Sequence, residues 1–294
     1  MYVYLNDKVV PAAEAKVSVF DHGFLYGDGI YETMRVYNGV VFMLDEHIER
    51  LCRSASLIGL DIPKDVAGIK LALYEILRAN SLADAYVRLT VSRGYGQIGL
   101  DPDLCKEPTF VIMANDFKNY PHSFYSEGIK LTIASTRRNL REALDPRIKS
   151  LNFLNNILAK IEAKRADVHE AIMLNSGGYL AEGTICNIFF VAGGIVYTPS
   201  LECGLLDGIT RALVIELAVR NGFEVREGEF TPEELRRASE VFITNTTMEV
   251  MPVSRVDETH FTPGVITRLL LEKYREEVSA YVREKKGEGP SLWE

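Results

Sequence analysis

The sequence predicts an α+β chain of two domains, residues 1–115 and 128–294, joined by a linker over 116–127. Three observations lead there. At 294 residues the chain exceeds what one hydrophobic core commonly organises. Alternating β-type runs and helical stripes are mixed within the first half, without a βαβ pattern. Residues 116–127 are polar, hold aromatics and Pro121, and follow neither period.

The first ten residues alternate around Asn6-Asp7, a turn-forming pair, and predict a hairpin. Leu44, Ile48, Leu51, Ala55 and Ile58 form one stripe, which predicts a helix over about 44–59. A second helix is expected from about Asp65 to Asn80, a residue suited to a C-cap. Two β-type runs follow, over 85–92 and 109–114. In the second half, strands are expected over 129–135, 170–175, 184–191 and 240–244. Thr231, Pro232 and Glu234 spell a capping box with proline at the first helical position. Thr262-Pro263 opens the last helix, and Gly222 ends one that begins at Ile209. The tail beyond Lys285 is charged, then Gly/Pro-rich, and is expected to fray.

The chain has 33 basic and 41 acidic residues, a formal charge of −8, and no cluster of Lys/Arg to offset it. That balance argues against nucleic acid or an anionic membrane as partner. Cys52, Cys105, Cys186 and Cys203 include no CxxC pair, so reduced thiols in a cytoplasm are expected. The N-terminus lacks the basic start and apolar core of a signal peptide. No stretch approaches the roughly 18 apolar residues of a spanning helix. The five histidines, at 22, 47, 122, 169 and 260, show no HxxxH spacing, and no metal site is expected.

One motif misleads. Gly94-Tyr95-Gly96-Gln97-Ile98-Gly99 spells GxGxxG after a strand-like run, as a dinucleotide-dependent oxidoreductase would require. The fingerprint needs a helix opening at its third glycine, and Leu100-Asp101-Pro102-Asp103 reads as a turn.

Three other segments carry chemistry together. Lys149 lies in Arg147-Ile148-Lys149-Ser150-Leu151-Asn152, ahead of a helical stretch. Glu182 precedes the apolar strand that contains Asn187-Ile188-Phe189. Gly204-Leu205-Leu206-Asp207-Gly208-Ile209-Thr210-Arg211 turns from loop to helix, with the backbone N–H groups and hydroxyl of a phosphate cradle. Singly, each has a plain explanation: a solvated lysine, a hairpin-edge carboxylate, an ordinary helix cap. Jointly, an imine-forming lysine, an acid for a ring nitrogen and a phosphate cradle are what pyridoxal 5'-phosphate requires.

With these segments the chain resembles the class IV aminotransferases, the fold-type-IV pyridoxal-phosphate enzymes, from its first hairpin to about Val256. The resemblance implies that Lys149 carries the cofactor as a Schiff base and acts as general base, with Glu182 on the ring nitrogen. It further assigns Arg53, Ile209, Thr210 and Thr246 to the phosphate, counts Asn187 among the cofactor residues, and implies a homodimer.

Substrate residues are expected in the first domain. Tyr86-Val87-Arg88 resembles the Tyr-x-Arg strand of branched-chain enzymes, and Tyr26 their pocket tyrosine. Tyr31 and Tyr95 are further aromatic candidates, Arg88 is the cation for the second carboxylate of glutamate, and the backbone at Thr247-Met248 resembles a carboxylate holder. Two departures stand out. Tyr31-Glu32-Thr33-Met34-Arg35 begins like a D-amino acid enzyme, and Phe153 replaces a tyrosine that bonds the cofactor's phenolic oxygen. The expected activity is ping-pong transamination of leucine, isoleucine and valine with 2-oxoglutarate. D-amino acid transamination and aminodeoxychorismate lyase chemistry are the alternatives.

Overall fold

In the computed structural model, which describes residues 1–286, the chain divides into two units. The first holds 1–118, 148–152 and, among the described residues, 278–286; the second holds 119–147 and 153–277. The five residues around Lys149 therefore cluster with the first unit, although the chain around them belongs to the second. The Gly/Pro-rich part of the tail lies outside the described residues.

The first unit opens with β1 (Tyr2–Leu5) and β2 (Lys8–Pro11), paired antiparallel with Leu5 opposite Lys8. Then come α1 (His22–Tyr26), β3 (Gly29–Tyr37), β4 (Val40–Val41), α2 (Leu44–Leu57), α3 (Val66–Ala79), β5 (Ala85–Ser92) and β6 (Thr109–Asp116). The sheet runs β2-β1-β6-β5-β3-β4, antiparallel throughout. Its core face carries Ile30, Met34 and Val36 from β3 and Val87, Leu89 and Val91 from β5. They pack with Ile48 and Leu51 of α2 and Ile69, Leu73 and Ile76 of α3. Strand alternation turns Tyr31, Thr33 and Arg35 to the other face, beside Tyr86, Arg88 and Thr90.

Both helices end close to where the stripes place them. Asp65 caps α3 by accepting from Gly68 N at 2.7 Å, and Asn80 is its C-cap. Long β3 was not foreseen, because the buried Glu32 stands among its core-facing residues and breaks the hydrophobic alternation. The GxGxxG stretch opens no α-helix; a three-residue 3₁₀ turn, Pro102–Leu104, follows it. Gly94 has φ +93°, and a Cβ there would run into the Glu107 carbonyl oxygen. Its glycine serves a close approach of two backbone segments, which removes the dinucleotide reading.

The second unit contains α4 (His122–Glu127), β7 (Ile129–Ile133), α5 (Leu154–Arg165), β8 (Glu170–Leu174), β9 (Leu180–Gly183), β10 (Asn187–Ala192) and β11 (Ile195–Pro199). It continues with α6 (Ile209–Arg220), β12 (Val225–Gly228), α7 (Pro232–Arg236), β13 (Glu240–Asn245), β14 (Glu249–Val256), β15 (Thr259–His260) and α8 (Val265–Lys285), whose last residues cluster with the first unit. The sheet is mixed, in the order β12-β11-β10-β13-β14-β7-β8-β9, with β15 on β14. Ile188, Phe190, Val241, Ile243, Met251 and Val253 fill its core, while Phe189 and Phe242 stack at 4.9 Å.

Part of the expected linker is helical. Pro121 precedes α4 and Gly128 follows it, while Phe124 and Tyr125 pack on the core. Six residues are too few to show a period. The capping box on α7 forms as read, with Thr231 Oγ1 accepting from Glu234 N at 3.3 Å. The last helix starts at Val265 rather than at Pro263, because Glu240 accepts from Ile266 N, Thr267 N and Thr267 Oγ1 and fixes its first turn. The expected strand over 184–191 begins only at Asn187. Gly183 N donates to Cys186 O at 2.7 Å and closes a bend before it. Among the described residues, no helix is long and apolar enough to cross a membrane.

Candidate active site

In the first unit, residues 148–152 are stitched to the start of β3. Tyr31 N donates to Lys149 O and Leu151 N to Gly29 O, both at 2.9 Å. Lys149 N donates to Ser54 Oγ of α2 at 3.2 Å. These bonds set the Lys149 backbone on a paired strand edge. Its Nζ lies 4.6 Å from the centroid of the Tyr31 ring, and the Arg88 guanidinium lies 4.0 Å from the same ring. Burial pushes the Tyr31 phenol well above its usual range, against the lowering field of Arg88. Three sequence-selected residues, Lys149, Tyr31 and Arg88, therefore meet. Tyr86 stands opposite Arg35 on the same sheet face.

On the core face of this sheet Glu32 is fully buried. Its carboxylate accepts from Arg50 Nε at 2.7 Å and Arg50 Nη2 at 2.8 Å, and from His47 Nδ1 at 2.7 Å. A carboxylate of this kind can only accept, so Nδ1 carries the imidazole proton. Burial opposes ionisation of Glu32, but Arg50 and His47 outweigh it and hold the carboxyl far below the usual range. His47 is pushed down by burial, helped by the charges of Arg50 and Lys149 and resisted by Glu32. Sequence reading missed this triad. Arg53, expected to hold phosphate, lies on the exposed side of α2, whereas Arg50 is 4% exposed. The available signal was the stripe His47, Arg50, Ser54, which follows the buried face and leaves Arg53 off it.

Tyr26 and Tyr95 are engaged elsewhere in the first unit. Tyr26 Oη accepts from Gly99 N at 3.2 Å, which ties α1 to the glycine-rich loop. Tyr95 is 65% exposed and packs edge-on against Phe20.

In the second unit, Glu182 lies in β9 and is buried. Arg138 Nε donates to its Oε1 at 2.8 Å and Leu206 N to its Oε2 at 3.0 Å. Arg138 was not found in the sequence; its only signal is spatial, since 44 residues separate the partners. Asn187 Nδ2 donates to Leu206 O at 3.1 Å, so the loop before α6 is held from two sides.

Gly208 is the N-cap of α6, a position where residues with an oxygen-bearing side chain normally cap the helix. A Cβ at Gly208 would collide with Asn187 Oδ1. Thr210 is buried in the first turn. Thr244, opposite Asn187 in the strand register, has a buried Oγ1 with no hydrogen-bond partner among the described residues. A side-chain-free cap on a 12-residue helix fits an anionic phosphate, and the orphaned Thr244 hydroxyl lies on the strand paired with Asn187, whose Oδ1 flanks that cap.

Thr246, Thr247 and Met248 form the turn between β13 and β14. The N–H groups of Thr247 and Met248, expected to hold a substrate carboxylate, here donate to Asn245 Oδ1 at 2.9 and 2.6 Å. Phe153 stands at the N-cap of α5 without a side-chain cap bond.

The amino-transferase class IV family model matches residues 29–256. A Methanocaldococcus jannaschii protein, provisionally named a branched-chain-amino-acid aminotransferase, is 46% identical over 279 residues, 94% of this chain and 96% of its own. An aminodeoxychorismate lyase of Bacillus subtilis is 36% identical over 97% of each chain. A D-alanine aminotransferase of Bacillus licheniformis is 37% identical over 91% of this chain and 94% of its own. Among solved structures, the branched-chain aminotransferase of Thermoproteus uzoniensis with norvaline aligns at a TM-score of 0.90 and 36% identity, covering 96% of this chain and 97% of that one.

Proposed function

Since the chain belongs to the class IV aminotransferases, we propose that it transfers the amino group of leucine, isoleucine and valine to 2-oxoglutarate, with pyridoxal 5'-phosphate as cofactor. The observation that carries the substrate reading is the Tyr31–Arg88 pair, on a sheet face shared with Tyr86. Aromatic walls suit a branched aliphatic side chain, which needs burial rather than polar partners. The Arg88 guanidinium suits the distal carboxylate of 2-oxoglutarate. The relatives with branched-chain names support this reading. The D-alanine aminotransferase and the lyase, at similar identity, keep the alternatives in play, and the Tyr31-Glu32 start favours the D-amino acid enzyme among them.

When bound, the cofactor supplies an electron sink for the pair released as the substrate Cα loses its proton. Lys149 would hold the cofactor through Nζ and, as general base, would carry the substrate's Cα proton on the same nitrogen. Glu182 would meet the ring nitrogen, and Arg138 and the Leu206 N–H hold its two oxygens in place. The α6 N-terminus, with Ile209 and Thr210, and the Thr246 hydroxyl would take the phosphate. We assign the buried cation of that task to Arg50 in place of Arg53. Glutamate formation from 2-oxoglutarate tests the activity: L-leucine is expected to support it and D-alanine is not. Turnover with D-alanine alone would contradict the substrate assignment. Release of pyruvate from aminodeoxychorismate without an oxoacid would favour the lyase.

We also propose a cytoplasmic homodimer. The four cysteines are free, in keeping with a reducing compartment. Phe24, Ile98 and Leu100 in the first unit, and Leu154 and Leu158 of α5 in the second, are exposed apolar side chains of the kind a second copy covers.

A further inference from the structure

The turn after β13 is built around one oxygen. Asn245 Oδ1 accepts from Thr247 N at 2.9 Å, Met248 N at 2.6 Å and Thr247 Oγ1 at 3.1 Å. A neutral amide oxygen has two lone pairs, so three donors exceed what it satisfies well. An ionised carboxylate offers about four acceptor sites, and its charge-assisted bonds are roughly twice as strong. The donors are also held independently of what they bond. Tyr120 Oη lies 3.4 Å from Thr247 Oγ1, and Tyr125 Oη donates to Met248 O at 3.4 Å. Arg275 pairs with Glu249, a residue at φ +58° that closes the turn. Asn245 Nδ2 donates to Ile185 O at 3.2 Å and keeps the amide in position.

We infer that Asn245 competes with the substrate's carboxylate for the Thr247 and Met248 N–H groups and so sets how tightly carboxylate substrates bind. This rests on the proposed carboxylate-holding role of that turn. The amide satisfies the donors when no ligand is bound and yields to a carboxylate. The intrinsic affinity for carboxylate substrates is thereby lowered by the strength of the bonds displaced.

The test is calorimetric titration of the cofactor-loaded protein with 4-methylpentanoate, a branched carboxylate that has no amino group to react. Asn245→Ala removes the competitor and is expected to tighten binding by about threefold to tenfold, the range of one net hydrogen bond. Asn245→Asp gives up the Nδ2 bond to Ile185 O but accepts the same turn bonds and fixes an anion in the receptor, and is expected to loosen binding by at least about tenfold. If Asn245 only shapes the turn, Asn245→Ala weakens binding and Asn245→Asp leaves it unchanged; either result overturns the inference. Should Asn245→Ala fail to fold, Asn245→Asp, nearly identical in shape, decides alone. No binding by the unaltered protein would overturn the carboxylate role of the turn itself, and this inference with it.

Discussion

Two buried residues link acid stability to the neighbourhood of the lysine. Glu32 and His47 both have folded pKa values below their ordinary ones of 4.5 and 6.5. A lowered folded pKa means that the unfolded chain binds more protons in the window between the two values, so stability falls as the pH falls. His47 contributes first, below about pH 6.5, and Glu32 below about 4.5. His47→Asn keeps a donor toward Glu32 and removes the titrating group. Melting temperatures between pH 7 and 5 are expected to drop less for this variant than for the unaltered protein. Parallel curves would show that His47 does not drive the acid loss. At this scale the sequence was only half legible. Lys149 and Glu182 announce themselves by what surrounds them along the chain. Arg138 cannot, because its ion pair with Glu182 exists only after folding brings distant segments together.

Helix α2 shows what a periodic pattern can and cannot say about a site. The stripe of Leu44, Ile48, Leu51 and Ala55 located the helix correctly, but the resemblance named Arg53 for the phosphate and left Arg50, three residues earlier, unassigned. Position on the helix decides between them. Arg50 shares the buried face with His47 and Ser54, and Ser54 bonds the Lys149 backbone. Arg53 points to the exposed side. Arg50→Lys keeps the charge but gives up the planar fork that Glu32 grips, and is expected to weaken cofactor retention about tenfold or more. Arg53→Ala is expected to change it less than about twofold, in line with other exposed substitutions. Cofactor released on dialysis, read by absorbance, checks both, and the opposite ranking would restore Arg53. Strand β3 was lost for a related reason. Glu32 faces the core because Arg50 and His47 await it there, and no local pattern shows that compensation. The caps of α3 and α7 were readable because their partners lie within three residues.

At the scale of the whole molecule, the α+β class and the family were legible because they rest on length, mixed periodicities and three spaced motifs. Membership of the Lys149 segment in the first unit was not, since residues 148–152 join it through strand bonds to β3 rather than along the chain. The apolar side chains left exposed by the first unit's loops and by α5 lead to the expectation of a dimer. Sedimentation equilibrium should return twice the chain mass, and a concentration-independent single-chain mass would contradict it. The proposed activity requires the Lys149 site to aminate its cofactor from branched-chain L-amino acids. Its most direct test is the half-reaction, with the visible absorbance of the purified cofactor-loaded protein followed after L-leucine or D-alanine is added separately, without an oxoacid. Rapid loss of the visible band with L-leucine and none with D-alanine is the expected result; loss with D-alanine alone, or with neither, contradicts it.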